Sequence, residues 1–595
     1  MFLRFNRRYK DGKEHRYWSI VESRRCASGK VVQRQVLYLG EINNSQHEAW
    51  CRLIETFDAD QGRHRQLALF PADRELPEHA KGHGVQVRLD AMALHRPRQW
   101  GACWVACQLY AQLELDRFWT ERLPDSREGT SWRHILQTLV CYRLIEPGSE
   151  WRLHRQWFEQ SAMADLLGAD ESLAEKNALY RCLDLLLPHK EALFSHLRQR
   201  WADLFGATFE VLLYDLTSTY FESPPPDDDK DKRRYGYSRD KRSDCVQVVI
   251  ALIVTPKGFP LAYEVLPGNT SDKTTLRAML RKIETQYGKA QRIWVMDRGI
   301  PTEEVLAEMR AADPPVLYLV GTPKGRLTQL EKALIALPWQ AVREGVDVKL
   351  LPQDNELYVL AQSHARINKE RAIRKRKLKW LWARLKEIAA MAIDREELLM
   401  KLGAARAKAR AAWRLIDIVV AADQPTFTFT LNRTKLRDVR RREGRYLLRS
   451  NLCDRDPAEL WQFYIQLVEV EAAFKNLKDD LQLRPIYHQL EHRIEAHIFV
   501  AFLAYCLHVT LKARLNPLAP GLTPRAVLDK FAAIQMLDVH LPTTDDRTLI
   551  LTRYTELTPD QKLLVKNLKL DLPPQPPPKI TTAAKVPHRE TTPAL

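Results

Sequence analysis

Val211-Leu212-Leu213-Tyr214-Asp215 decides how this chain is read, because Ile293-Trp294-Val295-Met296-Asp297 repeats its form further on. Each is a short apolar run closed by an aspartate, the pattern of a buried strand that delivers a carboxylate at its end. Glu471 lies far downstream on a stretch with helical spacing, with Tyr464 and Lys478 seven residues to either side. Two acids at strand ends and one on a helix can meet at a single point. Clustered carboxylates stay ionised when a divalent metal binds them, so the trio points to metal-dependent chemistry.

Seven residues make about two turns of α-helix. Tyr464, Glu471 and Lys478 therefore fall on one stripe, joined by Leu467, Phe474 and Lys475, while Glu469 points away. That geometry selects Glu471 over its acidic neighbour. A carboxylate followed by lysines on the same face suits a metal ligand beside a phosphate backbone.

The charge balance agrees. The 595 residues include 92 Lys and Arg against 75 Asp and Glu, a net charge of +17, which favours a polyanionic partner. Nine dispersed cysteines, with no Cys-x-x-Cys pair, point to reduced thiols and a cytoplasmic protein. The first residues lack the apolar core of a signal peptide. The apolar stretch 498–507 is too short to span a bilayer and is expected to be a buried helix, with no membrane partner.

Patterning divides the chain into six parts. Residues 1–95 form a basic, β-rich domain and 96–206 a helical domain, both candidates for DNA binding. Residues 207–325 and 446–545 carry α/β patterning. Between them, 326–445 breaks the pattern around a basic helix containing Lys369-Glu370-Arg371 and Arg374-Lys375-Arg376-Lys377. From 546 to 595 the chain turns Pro-rich and is expected to be a disordered tail.

Several ordered blocks resemble bacterial insertion-sequence DDE transposases. Tyr214-Asp215-Leu216-Thr217-Ser218-Thr219-Tyr220-Phe221-Glu222 resembles the first catalytic block and Met296-Asp297-Arg298-Gly299 the second. Tyr464 to Lys478 resembles the Tyr-x2-Arg-x3-Glu-x6-Lys signature around the third acid. Gly236 to Asp240, Gly268 to Asp272 and Arg484 to His488 are also similar to this group. Leu467 departs from the pattern, standing where the signature has arginine, so another basic residue must take over that DNA contact.

The resemblance implies an α/β, ribonuclease-H-like catalytic core interrupted by an insertion domain. The second and third acids lie 174 residues apart (471 minus 297), which leaves room for that insertion. It implies a DNA transposase that cleaves insertion-sequence ends and transfers the strand into target DNA. Asp215, Asp297 and Glu471 would hold two Mg²⁺ ions, with Mn²⁺ able to substitute, and Asp215 would bridge them. Lys478, Lys475, Tyr464 and Arg298 are the candidate DNA contacts. Partners would be terminal inverted repeats, target DNA and a second copy of the chain, on the bacterial nucleoid.

Three other readings compete. His488-Gln489-Leu490-Glu491-His492 matches a zinc-peptidase pattern, with His497 a possible third ligand, but it sits inside a transposase-like block; His488 and His497 are expected to pack or bond within the catalytic core. An inactive DNA-binding descendant would bind ends without cutting them. A ribonuclease-H-like nuclease would cut without joining.

Overall fold

The computed structural model describes residues 2–10, 13–25, 31–40, 87–126, 129–169, 171–228, 230–322, 330, 333–334, 337–353, 355–422, 424–544 and 546–581. The N-terminal part is an antiparallel sheet of β1 (Phe2–Lys10), β2 (Lys13–Arg25) and β3 (Val31–Gly40). It docks through Gly40, whose φ is +72° and whose missing Cβ would stand 2.3 Å from the Gly521 Cα. Most of the expected 1–95 domain beyond β3 lies outside the described residues. β4 (Ala93–Gln99) pairs instead with the C-terminal part of the chain.

The catalytic half is built on one nine-stranded sheet. β5 (Val211–Phe221) pairs antiparallel with β6 (Val246–Val254), which pairs antiparallel with β7 (Pro260–Pro267). On its other side β5 runs parallel to β8 (Ile293–Met296), and β8 parallel to β9 (Leu317–Gly321). The order β7-β6-β5-β8-β9, with β6 reversed, is the ribonuclease-H-like arrangement. β6 is buried along its whole length, as its sequence Val-Gln-Val-Val-Ile-Ala-Leu-Ile-Val requires of a strand covered on both faces.

Part of the expected insertion belongs to this sheet. β10 (Gln340–Arg343), β11 (Val346–Gln353) and β12 (Glu356–Ser363) form an antiparallel meander. The insertion's own body follows β12: the helices His364–Ala389 and Arg395–Lys408, and the hairpin of β13 (Ile416–Val420) and β14 (Phe427–Leu431). Leu381, Leu385, Ile388, Leu398 and Leu402 give that body a separate core. β15 (Arg445–Ser450) then inserts between β12 and β9, which joins the meander to the core sheet.

The helical segment shares its core with the catalytic half. Its helices Gly101–Gln112, Trp132–Ile145 and Lys176–Asp184 pack on the helix Glu491–Leu515. That helix is 25 residues long and apolar enough to cross a membrane by length and composition, yet it is buried among its neighbours as the core spine.

The expectation of a disordered tail from 546 is corrected through Thr581. β16 (Gln535–Pro542), β17 (Thr548–Tyr554) and β18 (Lys579–Thr581) form a sheet in the order β18-β17-β16-β4. The helix Pro559–Asn567 starts at a capping box of Thr558 and Gln561. The Pro-rich strip is held too, since Gln575 bonds both the N–H and the carbonyl of Tyr554. Residues 582–595 lie outside the described set.

Candidate active site

Sheet register brings the first two acids together. Tyr214 of β5 pairs with Met296 of β8, so Asp215 and Asp297 each follow that pair by one residue. Adjacent strands lie about 4.8 Å apart, which places the two backbones side by side. Asp215 does not end its strand, contrary to the sequence reading. β5 continues to Phe221 because its antiparallel pairing with β6 persists after β8 has stopped at Met296. The acid thus sits where one edge of a continuous strand becomes free.

Side-chain alternation fixes the face. The Tyr214 hydroxyl donates to Thr275 Oγ1 at 2.8 Å, on the helix Asp272–Tyr287, so Asp215 points to the opposite side of the sheet. There the helix Leu467–Lys475 packs on β5 and presents Glu471. A cleft of about 720 Å³ is lined by Asp215, Asp297, Glu471, Tyr464, Leu467 and residues of the helix that starts at His364.

The Asp215 carboxyl is pushed up to about 6, chiefly by burial and further by the charge of Asp297. The Leu216 N–H, which donates to its Oδ1 at 2.8 Å, and the charge of Arg239 oppose that rise. Arg239 itself donates to Asp272 at 2.6 Å. Asp297 and Glu471 are exposed to the cleft.

Tyr464 stands beside this pair. A Cβ at Gly321 would come within 2.8 Å of its hydroxyl, so the absence of a side chain there gives the ring its place next to the Asp297-Arg298 turn. Burial and then the nearby Asp297 charge push its hydroxyl up to about 12. Arg298 is exposed on that same turn.

The two lysines do not share the stripe drawn from the sequence. The helix Pro457–Ile465 ends before a new one starts at Leu467, and Asn476–Asp480 forms a π-helical turn. Those interruptions break the 3.6-residue spacing. Lys475 is exposed but opens on a different groove, beside Glu469, His508 and Lys512. The Lys478 side chain is largely buried and donates to Asp240 Oδ1 at 2.9 Å. Arg484 bonds the same carboxylate. The blocks around Asp240, Lys478 and Arg484, separate in sequence, are therefore tied through one ion cluster.

Two basic residues that the sequence reading did not single out as contacts, Arg366 and Lys369, line the acid cleft from the insertion's long helix. Arg366 lies over the Tyr446 ring at 4.8 Å and donates to Glu370 at 3.0 Å. The signal was the charge run itself; what it lacked was the knowledge that β12 delivers this helix to the cleft mouth.

The zinc-peptidase pattern does not assemble. The helix begins at Glu491, so His488 precedes it and cannot share a face with His492. His492 is bonded with Asp184 at 2.9 Å, Glu491 faces Lys232 at 3.5 Å, and His488 approaches Glu150.

Comparison with known proteins agrees with this architecture. The transposase DDE domain family matches residues 207–507, which is 301 of the 595 residues and includes all three acids. The chain belongs to that family and is a DNA transposase of the ribonuclease-H-like class, whose members use divalent metal. The N-terminal domain of IS1634 family transposases matches residues 3–66, which makes it an insertion-sequence enzyme. No curated protein matches. Among solved structures, a cryo-EM structure of a piggyBac transposase synaptic complex with hairpin DNA is similar over 73% of this chain and 76% of that one. Its identity is 10% and its TM-score 0.33, too low for the superposition to define a fold.

Proposed function

We propose that Asp215, Asp297 and Glu471 are the catalytic acids and hold the divalent ions, two Mg²⁺ with Mn²⁺ as a substitute. The observation that carries this is the register: a carboxylate within one strand and another just past the end of the parallel strand beside it line one cleft with a third. The donor set is all oxygen, which suits hard cations. Bound there, such ions supply Lewis-acid polarisation of a phosphodiester and a more acidic attacking water.

The chain's own residues prepare the substrate. Arg366 and Lys369 at the cleft mouth and Arg298 beside Asp297 receive backbone phosphates, the contacts that orient DNA without reading it. Tyr464 packs between the second acid and the insertion. Lys478 acts through Asp240 by fixing the segment that follows Glu471, and Lys475 meets DNA only where the duplex extends past the cleft. Hydrolysis at an element end frees a 3′-hydroxyl; that hydroxyl then attacks target DNA, one phosphodiester forming as another breaks. A dimer on paired inverted-repeat ends completes the proposal.

The test is cleavage and joining of DNA carrying the element's ends. Asp297→Asn should keep end binding and lose both products. Binding without cutting by the wild type would favour an inactive descendant, and cutting without a joined product would favour a nuclease.

A further inference from the structure

Glu150, His488 and His497 take no part in the acid cleft, yet they converge from separate parts of the chain. Glu150 belongs to the helical segment, just after the helix Trp132–Ile145. His488 closes the Arg484–His488 stretch, and His497 lies in the spine helix. Each side chain is more than nine-tenths buried. Among the described residues they are the group of three whose potential ligand atoms all lie within 4.8 Å of one another.

Two of the three ligand-to-ligand distances, now spanned by hydrogen-bond contacts to Glu150, match the edges of a coordination polyhedron. Glu150 Oε1 lies 3.4 Å from His488 Nε2 and 3.3 Å from His497 Nδ1. A tetrahedral ion with bonds of about 2.0–2.1 Å has ligand-to-ligand edges of about 3.3–3.4 Å. Two imidazoles and one carboxylate select zinc and its neighbours over magnesium, which prefers oxygen alone. The group borders a cavity of about 720 Å³ that Trp151, Tyr180 and Tyr487 also line.

We propose that Glu150, His488 and His497 form a second metal centre, for a zinc-class ion, separate from the catalytic acids. Arg143 is the competing cation, with Nη2 3.8 Å from Glu150 and 3.5 Å from His497. It has another anchor outside the group, because Nη1 donates to the Gln482 carbonyl at 3.3 Å. The ion would clamp the helical segment to the stretch that follows the third acid. This inference does not depend on the roles proposed for Asp215, Asp297 and Glu471.

Full-length protein stripped with chelator and titrated with Co²⁺ tests it. One equivalent should produce the intense visible bands of tetrahedral cobalt, and Zn²⁺ should erase them while excess Mg²⁺ should not. The bands should survive Asp297→Asn and vanish in Glu150→Gln and His497→Gln. Zinc should also raise the unfolding temperature of wild type and Asp297→Asn, increasingly with free zinc, but not of His497→Gln. Should a variant fail to fold, X-ray absorption of the zinc-loaded wild type decides, since two imidazole scatterers are required. Absence of tetrahedral bands, their displacement by Mg²⁺, their persistence in both ligand variants, or their loss in Asp297→Asn would each overturn the assignment.

Discussion

Replacing Asp215 by Asn should make the metal-free protein more stable while making it insensitive to magnesium. The folded protein holds this carboxyl at about 6 against an ordinary 3.8, so ionising it opposes folding. The rise from 3.8 to about 6, at about 1.36 kcal/mol per pH unit, sets an upper bound of about 3 kcal/mol above pH 6. The amide oxygen of Asn can still accept the Leu216 N–H bond, but the attraction of Arg239 is lost, so a net gain of about 1–2 kcal/mol is expected. The sign follows from a raised acid pKa. The wild type carries no penalty well below pH 4, acquires it between pH 4 and 6, and carries all of it above. Thermal unfolding in chelator, run from pH 4 to 8, should show Asp215→Asn gaining on the wild type over that interval and then running parallel. For a chain of 595 residues the difference is about 1–2 °C if the chain unfolds as one unit. Added Mg²⁺ should raise the wild-type midpoint and leave the variant unmoved. A variant less stable than wild type at pH 7 in chelator, or one stabilised equally by Mg²⁺, would refute the reasoning.

Other substitutions probe the remaining parts. Arg366→Glu with Lys369→Glu should weaken DNA binding across all sequences and lower the salt slope by about 2, read from affinities at several salt concentrations. Gly321→Ala should displace Tyr464 and reduce cleavage more than end binding, because the new Cβ meets the Tyr464 hydroxyl at 2.8 Å. Arg98→Met should cost about 3–5 kcal/mol in denaturant unfolding, since it strands Asp538 and Asp165, which the buried guanidinium holds at 3.1 and 2.8 Å. Gly40→Ala should loosen the N-terminal sheet, seen as faster proteolysis there, because Gly40 and Gly521 meet backbone to backbone.

What was legible in the sequence was the chemistry carried by local runs. Val211–Asp215 and Ile293–Asp297 announced strands and acids because a buried strand needs unbroken apolar residues. The Tyr464–Lys478 stripe was legible only in part, since a helix break at Gln466 and a π-turn at Asn476 come from tertiary packing and leave no periodic trace. That β10 to β12 join the core sheet was not legible, because pairing of β12 with β15 across some ninety residues is not a local property. The tail was misread for a related reason. Its prolines suggested disorder, but Tyr554 and Gln575 supply a docking strip that composition does not reveal. His488 looked like part of a motif with His492, whereas its partner Glu150 lies more than three hundred residues earlier.

The interruptions on either side of Glu471 give the cleft two unequal walls. Asp215 is locked mid-strand by its cross-strand partner, so it cannot travel without tearing hydrogen bonds from the sheet, while Asp297 follows the end of the strand beside it. The third acid rides on nine residues of helix, bounded by a break at Gln466 and a π-turn from Asn476 and seated on β5 through Val470, Ala473 and Phe474. The position of Glu471 therefore depends on how that one short helix seats on β5, whereas the place of Asp215 is set by the sheet itself.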